Sequence, residues 1–430
     1  MITGSETKMV IGTQWGNEGK GKIVDFIANR SDVVVRFQGC SNGGRTILAC
    51  GEIFRVSYLP SGIHHDGKNC LICGGVTLDL EKVSGEIAML KEAGVLKARL
   101  TIGKSCHLIL DYHKRLDVLD GRMLGHYRNR TMVEQGFGHS CSDKYRRMGI
   151  RVDDLLHPDI LHDKIKENLN VKNEYFTKIY GEKAMDPDEL FTKCLSMGER
   201  LIPYIGNPEE IVENAVSKNL GILFEACDGA LNDVERGLYP YVMPISSLSA
   251  AALAGTGLRW NSPMRIIGVA KAYSTRNDSG PFVTEESSAV TAFIRNRGRE
   301  FTGVNMEPRR VGWLDLPALK FAVKDNGVHS LALTKLDVLT GIDELKVCTA
   351  YIVDGEEKKF LDLTSRDTWK AIPVYRTFEG WKEDLSSYND FKTLPIQAQE
   401  YIKFIEEEAG VPIIWVGVGS DWGKAIFIRR

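Results

Sequence analysis

Apolar residues recur along the chain in unbroken runs: DVVVRFQG (32–39), ARLTIG (98–103), LGILFEACDG (220–229), MRIIGVAKAY (264–273), SLALTKLD (330–337) and VPIIWVGVG (411–419). Continuous rather than alternating apolar character predicts parallel strands covered on both faces. Helical periodicity separates some of them, in LEKVSGEIAMLKEAG (80–94) and IQAQEYIKFIEEEAG (396–410), each ending in a glycine suited to closing a helix. The order predicts an α/β fold: a large, mostly parallel central sheet with flanking helices. Residues 155–215 read as mainly helical and more charged, and 353–395 as polar with short segments. Without repeats, low-complexity tracts or linkers, both are expected as insertions on a single domain spanning 1–430.

Composition adds exclusions. A chain of 430 residues, 43% hydrophobic and 26% charged, can bury a large core, and its net charge of -2 gives no field for nucleic acid or anionic membrane. No apolar run approaches the roughly 20 residues of a membrane span. The start, MITGSETKMVIG, lacks the pattern of a secretory signal, so a cytoplasmic protein acting on small molecules is expected. Nine scattered cysteines predict reduced, buried thiols rather than a disulfide framework.

Cys70 and Cys73 spell CLIC, but with no second CxxC the stretch reads as a strand entering a glycine turn. His64 and His65 are adjacent, and neighbours in an extended segment face opposite ways, so no shared metal is expected. His113 reads as structural and FIEEEAG (404–410) as a solvated helix face.

The chemistry concentrates at GNEGKGK, Gly16 to Lys22, which satisfies GxxxxGK but has Ile23 where a magnesium-binding Ser or Thr would stand. Glycines let backbone N–H groups wrap a polyphosphate, the following helix start adds a positive dipole end, and Lys20 or Lys22 can neutralise transferring charge. A second element, Thr334-Lys335-Leu336-Asp337, follows an apolar strand and resembles the guanine-reading element of GTP-binding proteins. A carboxylate can accept from both N1–H and the exocyclic amine of guanine, a donor pair adenine lacks. Together the two elements favour GTP.

With QWGNEGKGKIVD, VVRFQGCSNGGRTI (34–47), LILDYH (108–113), DKYRRMGIRVDDL (143–155), RGLYPYV (236–242), KAYSTRNDSGPFVTE (271–285), RRVGWLD (309–315) and TKLDVLTG in view, the chain resembles the adenylosuccinate synthetase family almost end to end. The resemblance implies that family's P-loop-like GTP-binding fold, Mg2+ with GTP as co-substrate, and a homodimer. It implies a two-step reaction: GTP phosphorylates the 6-oxygen of inosine monophosphate, then aspartate displaces the phosphate. Lys20 matches the loop lysine, Gly44 the carbonyl ligand of magnesium and Thr46 a phosphate contact; Lys335 and Asp337 match guanine contacts and Gly417 to Gly419 a second guanine loop. Gly16, Glu18, Gly19, Gly21, Lys22, Thr334 and Arg309 complete the expected GTP side.

The departures lie elsewhere. Family members carry an aspartate, base and magnesium ligand, where this chain has Asn17, and a histidine donating to the 6-oxygen where it has Arg45. On the acceptor side, Val133 and Met243 replace threonines and Asp228 a glutamine; Asn42 and Asn277 are further candidates there. Arg147, which in the family reaches the nucleotide phosphate from a neighbouring subunit, is kept. Val304, Asn305, Met306 and Glu307 replace a Thr-Thr-Gly-Arg run that grips aspartate. Two lost hydroxyls remove hydrogen bonds to a charged group worth about 1.5–3 kcal/mol each, and Glu307 turns a carboxylate clamp into a like charge. The expectation is a GTP-dependent C–N ligase with a changed acceptor and amine, for instance a carboxylate held by Arg45 and converted through an acyl phosphate to an amide. The alternatives are a conventional adenylosuccinate synthetase and a GTP-binding pseudoenzyme.

Overall fold

The computed structural model describes residues 6–41, 43–124, 135–259, 261–302, 306–360, 364–419 and 423–428. Its main sheet has ten strands: β1 (Thr7–Gly12), β2 (Val33–Arg36), β3 (Asn69–Ile72), β4 (Arg99–Gly103), β5 (Ile205–Gly206), β6 (Ile222–Gly229), β7 (Arg265–Lys271), β8 (Ser330–Thr334), β9 (Ile413–Gly417) and β10 (Ala425–Phe427). In space they run β10-β9-β8-β7-β1-β6-β2-β3-β4-β5. Neighbours are parallel except β10, which is antiparallel to β9. All six apolar runs lie in this sheet.

Alternate residues of these strands feed two cores. Met9, Ile11, Val33 and Val35 enter one, while Val10, Val34, Cys70 and Ile72 enter the other. Full burial of such a side chain contributes about 1.5–3 kcal/mol, and a strand covered on both sides gains it at every position. Hence the runs show no polar alternation.

Helix α1 (Lys20–Ala28) follows β1 through the glycine-rich loop, and both predicted helices are present as α2 (Leu80–Glu92) and α3 (Ile396–Ala409). Asp79 caps α2 by accepting from the Glu81 and Lys82 N–H groups. Gly410, at φ 71°, closes α3.

Residues 155–215 hold helices Pro158–Glu174, Pro187–Glu199 and Pro208–Ser217. The stretch 353–395 is more regular than its polarity suggests: Ile372–Glu379 pairs antiparallel with Glu344–Val353 in a second sheet of four strands. That strand has no fully buried residue and leaves Ile372 and Val374 exposed, so no apolar run marks it.

The histidine pair departs from expectation. Ser61–His64 is a tight 3-10 turn rather than an extended segment, so His64 and His65 turn to one side and approach Asp25 of α1 together. The cysteines are all free, with Cys70 and Cys73 buried. His113 is buried between the Leu110 N–H and Asp143. Among the described residues no helix is long and apolar enough to cross a membrane.

Candidate active site

The loop between β1 and α1 is folded around one carboxylate. Glu18 is fully buried and accepts from the Gln14 N–H at 3.1 Å, the Gly16 N–H at 2.9 Å and Lys20 Nζ at 2.6 Å. Burial alone would raise its pKa, but Lys20 and the loop's N–H groups hold it below the usual carboxylate range. The path needs left-handed backbone at Gly16 (φ 82°), Asn17 (59°) and Gly19 (88°); asparagine tolerates that region better than most residues. Asn17 is exposed at the tip, and Gly21 lies in the first turn of α1.

Two distant segments meet this loop. The Thr334 hydroxyl, at the end of β8, donates to the Glu18 carbonyl. Lys22 donates to the carbonyls of Gly419 at 3.1 Å and Lys424 at 3.0 Å. A Cβ on Gly417 would stand 3.4 Å from the Lys335 backbone nitrogen, so the two candidate guanine elements abut. Burial raises the Asp337 pKa, while Lys335, Arg297 and Lys22 oppose the rise.

Glu300, which no sequence signal singled out, joins Lys335 to Arg309. Its Oε1 accepts from Lys335 at 2.6 Å, Tyr273 at 2.6 Å and Lys271 at 3.1 Å, and its Oε2 from Arg309 at 2.8 Å. Burial would raise its pKa, but Lys271, Lys335 and Arg309 hold it far below the ordinary value. Burial lowers Lys271 to about 7.

Arg45 begins a hairpin, Arg45–Ala49 with Glu52–Val56, which also carries Thr46 and buries Ile47, Phe54 and Val56. Its guanidinium lies 3.1 Å from Glu225 of β6 and donates to the Ser57 carbonyl at 3.2 Å. Burial lifts Glu225 to about 7, against the lowering effect of Arg36. Glu225 could have been suspected, as an acidic residue inside the apolar run ILFEACDG. Arg45 therefore stands beside a buried carboxylate of the protein itself, and its expected use in holding a carboxylate substrate stays a proposal.

Asp228, at the end of β6, sits against the loop. A Cβ on Gly16 would stand 3.0 Å from its Oδ1, which accepts from Asn232 Nδ2 at 2.8 Å and the Gly229 N–H at 2.9 Å. Burial raises its pKa. Met243 is buried with Cys40, Ile109, Phe137 and Cys141. Arg147 (φ 62°), Asn277 and Glu307 are exposed. Asn42, Val133 and Asn305 lie outside the described residues.

A family model described as adenylosuccinate synthetase matches residues 9–426. The chain belongs to the adenylosuccinate synthetase family. The adenylosuccinate synthetase of Borrelia duttonii is 40% identical over 418 residues, covering 97% of each chain. That of Nitratidesulfovibrio vulgaris is 39% identical over 423 residues, covering 97% of this chain and 99% of the other. The fully ligated adenylosuccinate synthetase structure from Plasmodium falciparum matches with a TM-score of 0.91 at 28% identity, covering 99% of this chain and all of that one. A cyanophage S-2L succinoaminodeoxyadenylate synthetase, 15% identical at a TM-score of 0.62, shares the fold. Adenylosuccinate synthetases are GTP-dependent ligases that form a C–N bond, and this chain is one of that family. That relatives of nearly equal length share the standard name weighs toward the conventional reaction over the changed-substrate expectation.

The family also uses Mg2+. An ion of this kind is usually held by one or two carboxylates plus substrate phosphates. Here the candidate donors are neutral, the Asn17 amide oxygen and the Gly44 carbonyl, and around Gly44 an added Cβ would meet nothing within 4 Å. These two residues would hold Mg2+ only as neutral donors, with the phosphates of a nucleotide supplying the charge.

Proposed function

We propose that this chain is a GTP-dependent ligase performing adenylosuccinate synthetase chemistry on inosine monophosphate and aspartate, with Asp228 taking the part of the base missing at Asn17. The observation behind this reading is the buried Asp228 carboxylate against Gly16, one residue from the position the family fills with aspartate. Its raised pKa makes its anion a better proton acceptor than an exposed aspartate.

In this reading the Asp228 carboxylate removes the purine N1 proton. The 6-oxygen then attacks the γ-phosphorus, and the β–γ bond breaks to release GDP. The amine of aspartate attacks C6, and phosphate leaves with the C–O bond. Lys20 offsets charge on the transferring phosphoryl, while Thr334, Lys335, Asp337, Gly417 and Gly419 position the nucleotide. Mg2+, held at Asn17 and Gly44 when bound, would neutralise charge on the phosphate oxygens. A homodimer, with Arg147 reaching a neighbouring site, belongs to the same reading and is checked by light scattering with and without nucleotide.

A second reading, with a different acceptor and amine, draws on two observations: Met243 is buried in an apolar cluster where the family has a hydroxyl, and Glu307 stands exposed where it has arginine. Phosphate release from GTP, measured with inosine monophosphate plus aspartate and with panels of other nucleotides, acids and amines, separates the two. Turnover with the first pair supports the conventional reaction. Turnover only with another pair supports the second reading, and tight GTP binding without any turnover leaves a GTP-binding regulator.

A further inference from the structure

The convergence of two histidines and an aspartate beside α1 is used by neither reading. Asp25 stands in the second turn of α1, and His64 and His65 come from the end of the 3-10 turn Ser61–His64. Nε2 of His64 and Nε2 of His65 each lie 3.2 Å from the same oxygen, Asp25 Oδ1. The three potential ligand atoms all fall within 4.8 Å of one another.

We propose that Asp25, His64 and His65 form a binding site for a divalent transition-metal ion of the zinc class, separate from any magnesium that accompanies GTP.

The distances carry the argument. Around a tetrahedral Zn2+, bonds of about 2.0–2.1 Å place neighbouring ligand atoms roughly 3.3–3.4 Å apart. The two Asp25 separations are within about 0.2 Å of that spacing, and the remaining His64–His65 separation, no more than 4.8 Å, is the one an ion would set by rotation of the rings. The two rings lie with centroids 3.9 Å apart, tilted by 37°, and the carboxylate is carried on α1. Side-chain exposures of 17% for Asp25, 9% for His64 and 19% for His65 leave the cluster shielded but open on one side, where water or another small ligand would complete the coordination.

The donor set selects the ion. Two imidazole nitrogens and one carboxylate oxygen suit Zn2+, Co2+ or Ni2+, whereas Mg2+ takes oxygen ligands. Because α1 begins at Lys20, the ion would pin the helix behind the phosphate loop to the turn after Pro60.

The test uses the full-length chain stripped with a chelator, then titrated with ZnCl2 by calorimetry in the presence of GTP and Mg2+. One saturable equivalent is expected, with a rise in the thermal midpoint. The isosteric Asp25→Asn and the polar His65→Asn should each weaken it by roughly 100-fold or more, since loss of outer-shell partners alone costs about 10–100-fold. Co2+ provides an independent readout: a tetrahedral absorption band in the parent chain that both variants lose. Folding of the variants is verified by circular dichroism, and His64→Asn replaces either one that fails. Absence of a saturable equivalent, or one that survives substitution of the ligands, overturns the proposal.

Discussion

Asn232 donates to Asp228 at 2.8 Å, holding the carboxylate against the loop at Gly16. Asp228→Asn preserves shape and removes the proton acceptor. It is expected to lower kcat with inosine monophosphate and aspartate by about 10²–10⁴, while GTP affinity by calorimetry stays the same. An unchanged kcat would exclude Asp228 as the base.

Lys20 and Glu18 form a pair that is almost entirely buried, with side-chain exposures of 10% and 0%. Lys20→Met leaves a buried carboxylate without its cation, a loss expected to cost about 3–5 kcal/mol in urea unfolding. Adding Glu18→Gln should recover part of the stability but none of the turnover, because the two substitutions act on one contact.

Asn17→Asp introduces a charged oxygen at an exposed, left-handed position that aspartate also tolerates. The Mg2+ concentration needed for half-maximal GTP turnover should fall, by roughly tenfold if one carboxylate joins the donor set. Titrations at fixed GTP check this. No change would place the ion away from residue 17.

Glu307 is exposed in the loop that the family uses for aspartate. Glu307→Arg should lower the KM for aspartate with kcat nearly unchanged, and a charge-assisted contact of about 1.5–3 kcal/mol corresponds to at least a tenfold fall. Should KM rise instead, the loop serves a cationic amine and the second reading gains.

His107 and His113 are buried, and burial lowers each to about 4 from 6.5. The unfolded chain takes up these protons below about 6.5 and the folded chain only near 4, so their contribution is whole above the first value and is lost as pH falls toward the second. For His113 a shift of that size corresponds to up to roughly 3 kcal/mol, and His107, more open to solvent screening, contributes less. Urea midpoints should decline across that window, and His113→Asn should flatten part of the decline.

Much of this protein could be read without coordinates. The six apolar runs became sheet strands because two-sided burial leaves an unbroken local signature. The loop at Gly16–Lys22 and the element at Thr334–Asp337 stood out because glycine spacing and a Lys-x-Asp after an apolar strand are short-range patterns, and the fold brings the two together through Thr334 and the Glu18 carbonyl. Other parts left no such trace. Glu300 is an ordinary acidic residue until Lys271, Lys335 and Arg309 gather round it from three other segments. Asn232 and Asp228 are four residues apart, yet their contact depends on how the chain turns after β6.

The sequence by itself determined the fold class and the family, both of which rest on local patterns and short motifs. Tertiary structure alone decided that Arg45 is tied to Glu225, that Asp228 abuts the phosphate loop, and that His64 and His65 share a side with Asp25. The reason is physical: period and spacing act along the chain, whereas the partner of a charge is set by burial between segments that pack from far apart in sequence.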